Sequence, residues 1–218
     1  MMTKAAKKYF DLTGRSALIT GATRGIGFGL AAGLAQAGAK IILNGRNPEK
    51  LAEATDRLRL QDVSAQTLCF DVRDQPAVQK AINNYESADG PIDILINNAG
   101  IQHRQSLEDF ASDKFQDVMN TNATALFYLG QAVTRHMKQR GQGKIINIAS
   151  IMTKMARHHV GAYVTAKAAV GGLTRAMTAE WAAYGINCNA IGPGYISTEL
   201  TQPLFCLLYT SDAADELT

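Results

Sequence analysis

Cysteine is scarce in this sequence and does not cluster. The three cysteines, Cys69, Cys188 and Cys206, are odd in number, lie far apart and form no CxxC pair beside histidines. A disulfide framework needs paired cysteines, and a structural zinc site needs closely spaced ligands. We therefore expect reduced, structural cysteines and no metal site.

Long apolar runs and blocks of like charge are also missing. No stretch approaches the ~18 apolar residues of a membrane span, and the basic N-terminus reaches Asp11 without the apolar core of a secretion signal. The 22 Lys and Arg residues and 19 Asp and Glu residues leave a net charge of +3. These charges are dispersed, which argues against a nucleic-acid-binding stripe. We expect a cytoplasmic protein whose partners include neither membranes nor nucleic acids.

The sequence does contain a regular alternation of short β-rich runs and longer helical patterns, typical of βαβ units. Its 218 residues, 46% of them hydrophobic, can build the core of one domain. The predicted strands are Ser16–Thr20, Lys40–Leu43, Ala65–Phe70, Ile92–Ile96, Lys144–Ile148 and Ile186–Ile191. The predicted helices are Gly25–Ala37, Pro48–Leu60, Pro76–Ser87, about Ser112–Arg140 and Ala162–Tyr184. Because the strands are nearly continuous in apolar residues, we expect an α/β, three-layer, doubly wound Rossmann fold with a parallel sheet covered on both faces.

A glycine-rich segment directly follows the first predicted strand. It reads Thr20-Gly21-Ala22-Thr23-Arg24-Gly25-Ile26-Gly27 and opens a helix. Glycines allow a tight turn and a close approach of the backbone, and the amides of a helix N-terminus can hold a pyrophosphate. The alternative is a glycine-rich turn without a ligand. The candidate cofactor-binding residues are Gly21, Thr23, Arg24, Gly25, Ile26 and Gly27.

The ends of the second and third strands bear on the choice of cofactor. NAD-preferring folds place an acidic residue after the second strand, whereas this strand ends in Asn44-Gly45-Arg46. Arg46, helped by Arg24, could bind a 2′-phosphate, so the sequence predicts NADP rather than NAD. The alternative is that both arginines are only solvated. Asp71-Val72 ends the third strand, and we expect this pair near the adenine.

A second cluster of candidates lies around the fifth strand and the helix after it. Ser150 follows that strand, and Tyr163 and Lys167 are four residues apart, hence on one helix face. A nearby ammonium lowers the pKa of a tyrosine, which then serves better as a proton donor and acceptor for an alcohol or ketone. A YxxxK pair also arises by chance on helix surfaces, so the pair alone decides nothing.

Taken together, five segments resemble the short-chain dehydrogenase/reductase family, and the resemblance runs from about Leu12 to Leu204. The segments are the glycine-rich loop, Asn97-Asn98-Ala99-Gly100, Ser150, Tyr163-Val164-Thr165-Ala166-Lys167 and Pro193-Gly194-Tyr195-Ile196-Ser197-Thr198.

The resemblance implies a role for each residue that matches the family pattern. Tyr163 would be the catalytic acid and base, Lys167 would lower its pKa and hold the nicotinamide ribose, and Ser150 would position the substrate. Asn122 would keep a proton-relay water near the lysine. Seven further residues would hold the ribose and the nicotinamide end of the cofactor: Asn98, Ala99, Gly100, Pro193, Gly194, Ile196 and Thr198.

Within the family, the segments around Asn98, Gln131 and Pro193 resemble the members that interconvert D-gluconate and 5-keto-D-gluconate. Arg104 has the chemistry to bind a substrate carboxylate. His103 and the segment Thr153-Lys154-Met155 depart from those members, which often have a second arginine and Ser-Glu-Leu there. Two other functions remain open: a reductase of a 3-oxoacyl thioester or other carbonyl, and a dinucleotide-binding fragment without turnover.

The family resemblance stops near Leu204, before the seventh strand that family members have. The residues from about Cys206 onward resemble a translated sequencing adapter. We therefore expect one catalytic domain over residues 1–205, incomplete at its C-terminus, and a non-native tail over residues 206–218. Complete family members are usually homotetramers, and the two long helices ending near Arg140 and Tyr184 could form such an interface.

Overall fold

A computed structural model of the chain describes residues 10–198. These residues contain one sheet of six parallel strands in the order β3-β2-β1-β4-β5-β6. This is the strand order of a dinucleotide-binding fold, so the predicted fold class is confirmed. The strands are β1 Ser16–Ile19, β2 Lys40–Gly45, β3 Ala65–Cys69, β4 Ile94–Asn97, β5 Gly143–Ile148 and β6 Ile186–Ile191.

Helices cover both faces of this sheet. They are α1 Gly25–Gln36, α2 Pro48–Arg59, α3 Gln75–Ala88, α4 Ser112–Met119, α5 Ala125–Arg140 and α6 Gly161–Trp181. Apolar side chains of α1 and α2 pack on one face, and those of α3, α5 and α6 pack on the other. Successive residues of β1 alternate between the two layers, with Leu18 in one core cluster and its neighbours Ala17 and Ile19 in the other.

Burial on both faces holds for the central strands but not for the edges of the described sheet. All four residues of β1 and of β4 are buried. None of the five residues of β3 is fully buried, and the last three residues of β6 are exposed. The predicted burial was wrong for these strands because each has a neighbour on one side only within the described residues.

The single helix predicted over Ser112–Arg140 is also interrupted. Residues Asn120–Thr124 form a π-helical turn between α4 and α5. Such turns widen the helix locally and often occur at functional sites. Here the turn carries Asn122, which is fully buried.

Four predictions concern membrane spans, metal sites, the C-terminal tail and the cysteines. No helix among residues 10–198 is long and apolar enough to span a membrane, and these residues contain no group of three or more metal-ligating side chains. The predicted tail over residues 206–218 lies outside the described range, as does Cys206. The other two cysteines are both free thiols, as expected; Cys188 is buried, and Cys69 is exposed at the sheet edge.

Candidate active site

The loops at the carboxyl ends of the strands enclose a cleft of about 400 Å³. It lies where the strand order reverses between β1 and β4, the position at which such sheets bind ligands. The cleft brings together most of the predicted residues: Gly21, Thr23, Arg24, Gly25, Ile26, Asn44, Arg46, Asp71, Val72, Asn98, Ala99, Gly100, Arg104, Ser150, Tyr163, Lys167, Pro193, Gly194, Ile196 and Thr198. Gly27 and Asn122 do not line it.

Two glycines of the loop after β1 are needed for close packing. Gly21 has a φ of 60°, and a Cβ atom there would lie 2.8 Å from the Cα atom of Ala99. A Cβ atom on Gly27 would lie 2.5 Å from the side-chain nitrogen of Asn98. Any larger residue would therefore push the loop away from the segment after β4. Gly27 has this packing role, and its predicted contact with the cofactor stays a prediction.

Asn98 and Thr20 bind that segment to the glycine-rich loop. The Asn98 side chain donates hydrogen bonds to the carbonyl oxygens of Thr20 and Gly21, at 2.9 and 3.1 Å. In return, the Thr20 hydroxyl accepts the backbone N–H groups of Asn98 and Ala99, at 3.0 and 3.1 Å. Sequence reasoning did not select Thr20, although the residue before a phosphate-binding glycine is a reasonable place to look.

The N-terminus of α1 has the electrostatics of an anion site. The helix begins at Gly25, its first turn contains no acidic residue, and its N-cap residue Arg24 makes no side-chain capping bond. The positive end of the helix dipole therefore meets the cleft without an acidic residue in the first turn of α1. This arrangement fits the pyrophosphate of a dinucleotide.

At the predicted adenine end, Asp71 lies between two arginines. Arg73 donates to both Asp71 carboxylate oxygens, with its shortest contact at 2.7 Å, while Arg46 lies 3.8 Å from one of them. The hydrogen bond from Arg73 is the main reason why the pKa of Asp71 is lowered, with a smaller contribution from the charge of Arg46. Asp71 is therefore a carboxylate at neutral pH.

Asn44 lines the cleft as predicted, but its side-chain amide is bonded within the protein. Its side chain is 1% exposed and donates to the carbonyl oxygens of Leu68 and Phe70, at 3.0 and 3.1 Å. Both amide hydrogens are thus used to join β2 to the end of β3. The prediction that Asn44 contacts the cofactor stays a prediction.

Ser150 is fixed by the short 3-10 helix Ile151–Thr153 that it begins. Its hydroxyl accepts the Met152 N–H at 3.2 Å, and its own N–H donates to the Thr153 hydroxyl at 3.3 Å. The same serine is hydrogen-bonded to Tyr163. The two candidate residues that would touch a substrate oxygen therefore already contact each other.

Lys167 is almost completely buried, with 4% of its surface exposed. Its ammonium donates to the carbonyl oxygen of Ile148 at 2.6 Å and lies 5.6 Å from the centre of the Tyr163 ring. Burial lowers the pKa of Lys167 from 10.5 to about 8. A buried cation beside a partly buried phenol is an arrangement that proteins use in proton transfer.

The expected effect of Lys167 on Tyr163 is not observed in this structure. The pKa of Tyr163 is raised above 10.0, because burial of the phenol outweighs the hydrogen bond with Ser150, which lowers it. The ammonium of Lys167, 5.6 Å from the centre of the ring, does not offset this effect of burial. The prediction of a lowered tyrosine pKa was wrong for the structure as described.

Asn122 holds the backbone rather than facing Lys167 with its side chain. Its side-chain nitrogen donates to the carbonyl oxygen of Ile101, and its side-chain oxygen accepts the Ile101 N–H, both at 2.8 Å. The pair of bonds joins the π-helical turn to the loop after β4. The predicted role in holding a water molecule stays a prediction.

Three loops meet at the predicted substrate end. The Gln105 N–H donates to the His159 carbonyl oxygen at 3.1 Å, which joins the segment after Arg104 to the loop before α6. From that loop, Arg157 donates to the Tyr195 hydroxyl at 3.2 Å. Sequence reasoning missed Arg157, which lines the cleft together with Arg104. His158 and His159 of the same loop are exposed.

Known proteins are similar to this chain in both sequence and fold. The pattern of the short chain dehydrogenase family matches residues 15–206. Gluconate 5-dehydrogenase of Gluconobacter oxydans (strain 621H) is 48% identical over 195 residues, which span 89% of this chain and 76% of that protein. The 2-dehydro-3-deoxy-D-gluconate 5-dehydrogenase of Bacillus subtilis (strain 168) is 44% identical over 196 residues, or 89% of this chain and 76% of that protein.

A solved structure with a similar fold contains bound ligands. It is a gluconate 5-dehydrogenase from Burkholderia cenocepacia J2315 in complex with NADP and tartrate. The two chains are 47% identical with a TM-score of 0.89, and the match covers 96% of this chain and 80% of that one.

Proposed function

The chain belongs to the short-chain dehydrogenase family, and on that basis we propose that it is an NADP-dependent oxidoreductase that interconverts D-gluconate and 5-keto-D-gluconate. The observation that carries the proposal is that Ser150, Tyr163 and Lys167 line the same cleft as the glycine-rich loop after β1. The candidate proton-transfer residues and the candidate dinucleotide-binding loop therefore face the same cleft.

The chemistry follows from the contacts of these residues. Tyr163 would donate its phenolic proton to the substrate oxygen during ketone reduction and remove the hydroxyl proton during alcohol oxidation. Ser150, which is already hydrogen-bonded to Tyr163, would hold the same substrate oxygen. Bound nicotinamide would supply the hydride for reduction and accept it in oxidation. Lys167 would place its positive charge beside the phenol and the cofactor ribose.

The residues around β2 support NADP over NAD. Gly45 provides no carboxylate that would repel a 2′-phosphate. The side chain of Arg46 is 61% exposed, and its guanidinium has the hydrogen-bond donors to bind a 2′-phosphate. Arg24 lines the same cleft beside the start of α1. A solved relative with 47% identity contains NADP.

The substrate end supports an acidic substrate. Arg104 and Arg157 both line the cleft, on loops joined by the bond between Gln105 and His159. Two guanidinium groups suit a carboxylate and several hydroxyl groups. The relatives named above act on gluconate or on 2-dehydro-3-deoxy-D-gluconate, and one solved relative contains the dicarboxylate tartrate. The second of these sugar acids is therefore an alternative substrate.

The test is an absorbance assay of NADPH with the purified protein and a set of substrates. The set contains 5-keto-D-gluconate, 2-dehydro-3-deoxy-D-gluconate in the oxidative direction, a neutral ketose and a 3-oxoacyl thioester. We expect the sugar acids to react with higher kcat/KM than the other two. The highest kcat/KM on the thioester would contradict the proposed substrate, and NADPH binding without any turnover would favour the dinucleotide-binding alternative.

A further inference from the structure

The pair of Asp71 and Arg46 creates a difficulty for NADP binding. Asp71 lies at the adenine end of the cleft, 3.8 Å from the guanidinium that would receive the 2′-phosphate. A bare carboxylate in this position would repel that phosphate and would draw Arg46 toward itself. Something must offset the charge of Asp71 if the cleft is to accept NADP.

Arg73 has the contacts to do this. Its Nε atom lies 3.1 Å from both carboxylate oxygens of Asp71, and its Nη2 atom lies 2.7 Å from one of them. The backbone N–H of Arg73 also donates to Asp71 at 2.9 Å. These hydrogen bonds use both oxygens of the Asp71 carboxylate, whereas Arg46 lies 3.8 Å from it, beyond hydrogen-bonding distance.

Arg73 is itself held in place from the other side. Its Nη1 atom contacts the carboxylate of Asp117 on α4 at 3.3 Å. The guanidinium is thus fixed between the end of β3 and a helix, and it is 35% exposed. Its orientation therefore does not depend on a bound ligand.

We infer that Arg73 is a positioning residue for cofactor choice. Because Arg73 binds the Asp71 carboxylate through hydrogen bonds, Arg46 remains available for the 2′-phosphate of NADP. The inference rests on the NADP preference in the proposed function and is independent of the sugar acid. Arg73 acts through Asp71 and Arg46 and has no part in hydride or proton transfer.

Binding of two adenosine fragments tests the inference without any turnover. Calorimetric titrations with adenosine 2′,5′-bisphosphate and adenosine 5′-monophosphate report on the 2′-phosphate alone. We expect the parent to bind the bisphosphate more tightly. Arg73→Leu should weaken binding of the bisphosphate about tenfold, because Asp71 would then repel the 2′-phosphate and compete for Arg46, and it should change binding of the monophosphate by less than about twofold.

Two further variants separate a charge effect from a merely structural role. Asp71→Asn combined with Arg73→Leu removes the negative charge as well, and it should recover most of the preference for the bisphosphate. Asp117→Asn cuts the contact with α4 but leaves Asp71 occupied, so the preference should persist. Arg73→Lys keeps a positive charge and should weaken the bisphosphate less than Arg73→Leu does, which keeps the test usable if the leucine variant fails to fold.

The outcomes that overturn the inference differ from those that overturn the proposed function. Equal weakening of both fragments by Arg73→Leu, or no recovery in the double variant, would show that Arg73 is only structural. A parent without preference for the bisphosphate would overturn the NADP preference and this inference together. Neither result would change the proposed sugar acid substrate, which depends on the turnover assay.

Discussion

The ammonium of Lys167 donates a 2.6 Å hydrogen bond to the carbonyl oxygen of Ile148. This bond joins α6 to the last residue of β5, two residues before Ser150. It thereby helps to set the distance between the helix that carries Tyr163 and the loop that carries Ser150. The same bond keeps a positive charge in a buried position, which affects stability as well as catalysis.

We predict that Lys167→Met stabilises the protein at pH 7 by about 1–2 kcal/mol. The fold lowers the pKa of Lys167 from 10.5 to about 8, so burial of the charged form opposes folding, and the lost hydrogen bond offsets part of the gain. Denaturant unfolding at several pH values measures the effect. Because the neutral form is favoured in the folded state, the gain should be full below pH 8 and shrink as the pH rises to 10.5.

The matched control for that experiment is Lys80→Met, an exposed lysine on α3. Its substitution should leave the free energy of unfolding nearly unchanged at every pH. A gain in Lys167→Met that did not shrink with rising pH would show that charge burial is not its cause.

We predict that Tyr163→Phe abolishes turnover while NADPH binding persists. The change removes the phenolic hydroxyl and leaves the glycine-rich loop intact. Fluorescence titration of NADPH and the absorbance assay measure the two properties separately. Tyr184→Phe, which changes an exposed tyrosine after α6 in the same way, should keep the parental rate. A near-parental rate in Tyr163→Phe would exclude the proposed proton transfer.

We predict that Ser150→Ala shifts the pH dependence of alcohol oxidation to higher pH. Oxidation needs the tyrosine without its proton, so the rate falls as the pH drops below the pKa of Tyr163. The hydrogen bond with Ser150 lowers that pKa against the larger effect of burial, so its loss should raise the pKa further. Rates of NADP reduction across the alkaline range measure the shift. An unchanged profile at a reduced rate would mean that Ser150 only orients the substrate.

We predict that Gly45→Asp combined with Arg46→Ile reverses the preference for NADP over NAD. The aspartate would bond the ribose hydroxyls and repel a 2′-phosphate. A Cβ atom on Gly45 would lie 3.0 Å from the Thr23 methyl group, so adding Thr23→Ser should improve NAD binding further. The ratio of kcat/KM values for the two cofactors measures the change. Equal or tighter NAD binding by the parent would contradict the premise.

We predict that Arg104→Ala raises KM for gluconate much more than KM for a neutral polyol. A lost charge-assisted contact typically costs about 1.5–3 kcal/mol, and only the acidic substrate has that contact to lose. Arg175→Ala, which changes an exposed arginine on α6, is the control and should leave both values unchanged. Equal effects on the two substrates would mark Arg104 as a structural residue.

Predictions from local pattern succeeded where residues close in sequence decide the outcome. Alternating strands and helices predicted the α/β sheet, because apolar periodicity and turn residues act within a few positions. Gly21 and Gly25 both have positive φ values, and their spacing alone predicted a tight loop before a helix. Tyr163 and Lys167 line one cleft because one turn of α6 separates them.

The tertiary structure decided what depends on partners far away in sequence. Asn44 and Asn122 resembled ligand contacts, but each bonds backbone atoms more than twenty positions away. The raised pKa of Tyr163 follows from burial by several segments, which spacing does not reveal. Arg73 acquired a candidate role only when the fold placed Arg46 beside Asp71 and Asp117 of α4 beside Arg73. The sequence by itself therefore determined the strands and helices and the types of side chain at their ends. The tertiary structure decided which of those polar side chains face the cleft and which bond within the protein, because hydrogen bonds and burial depend on the whole fold.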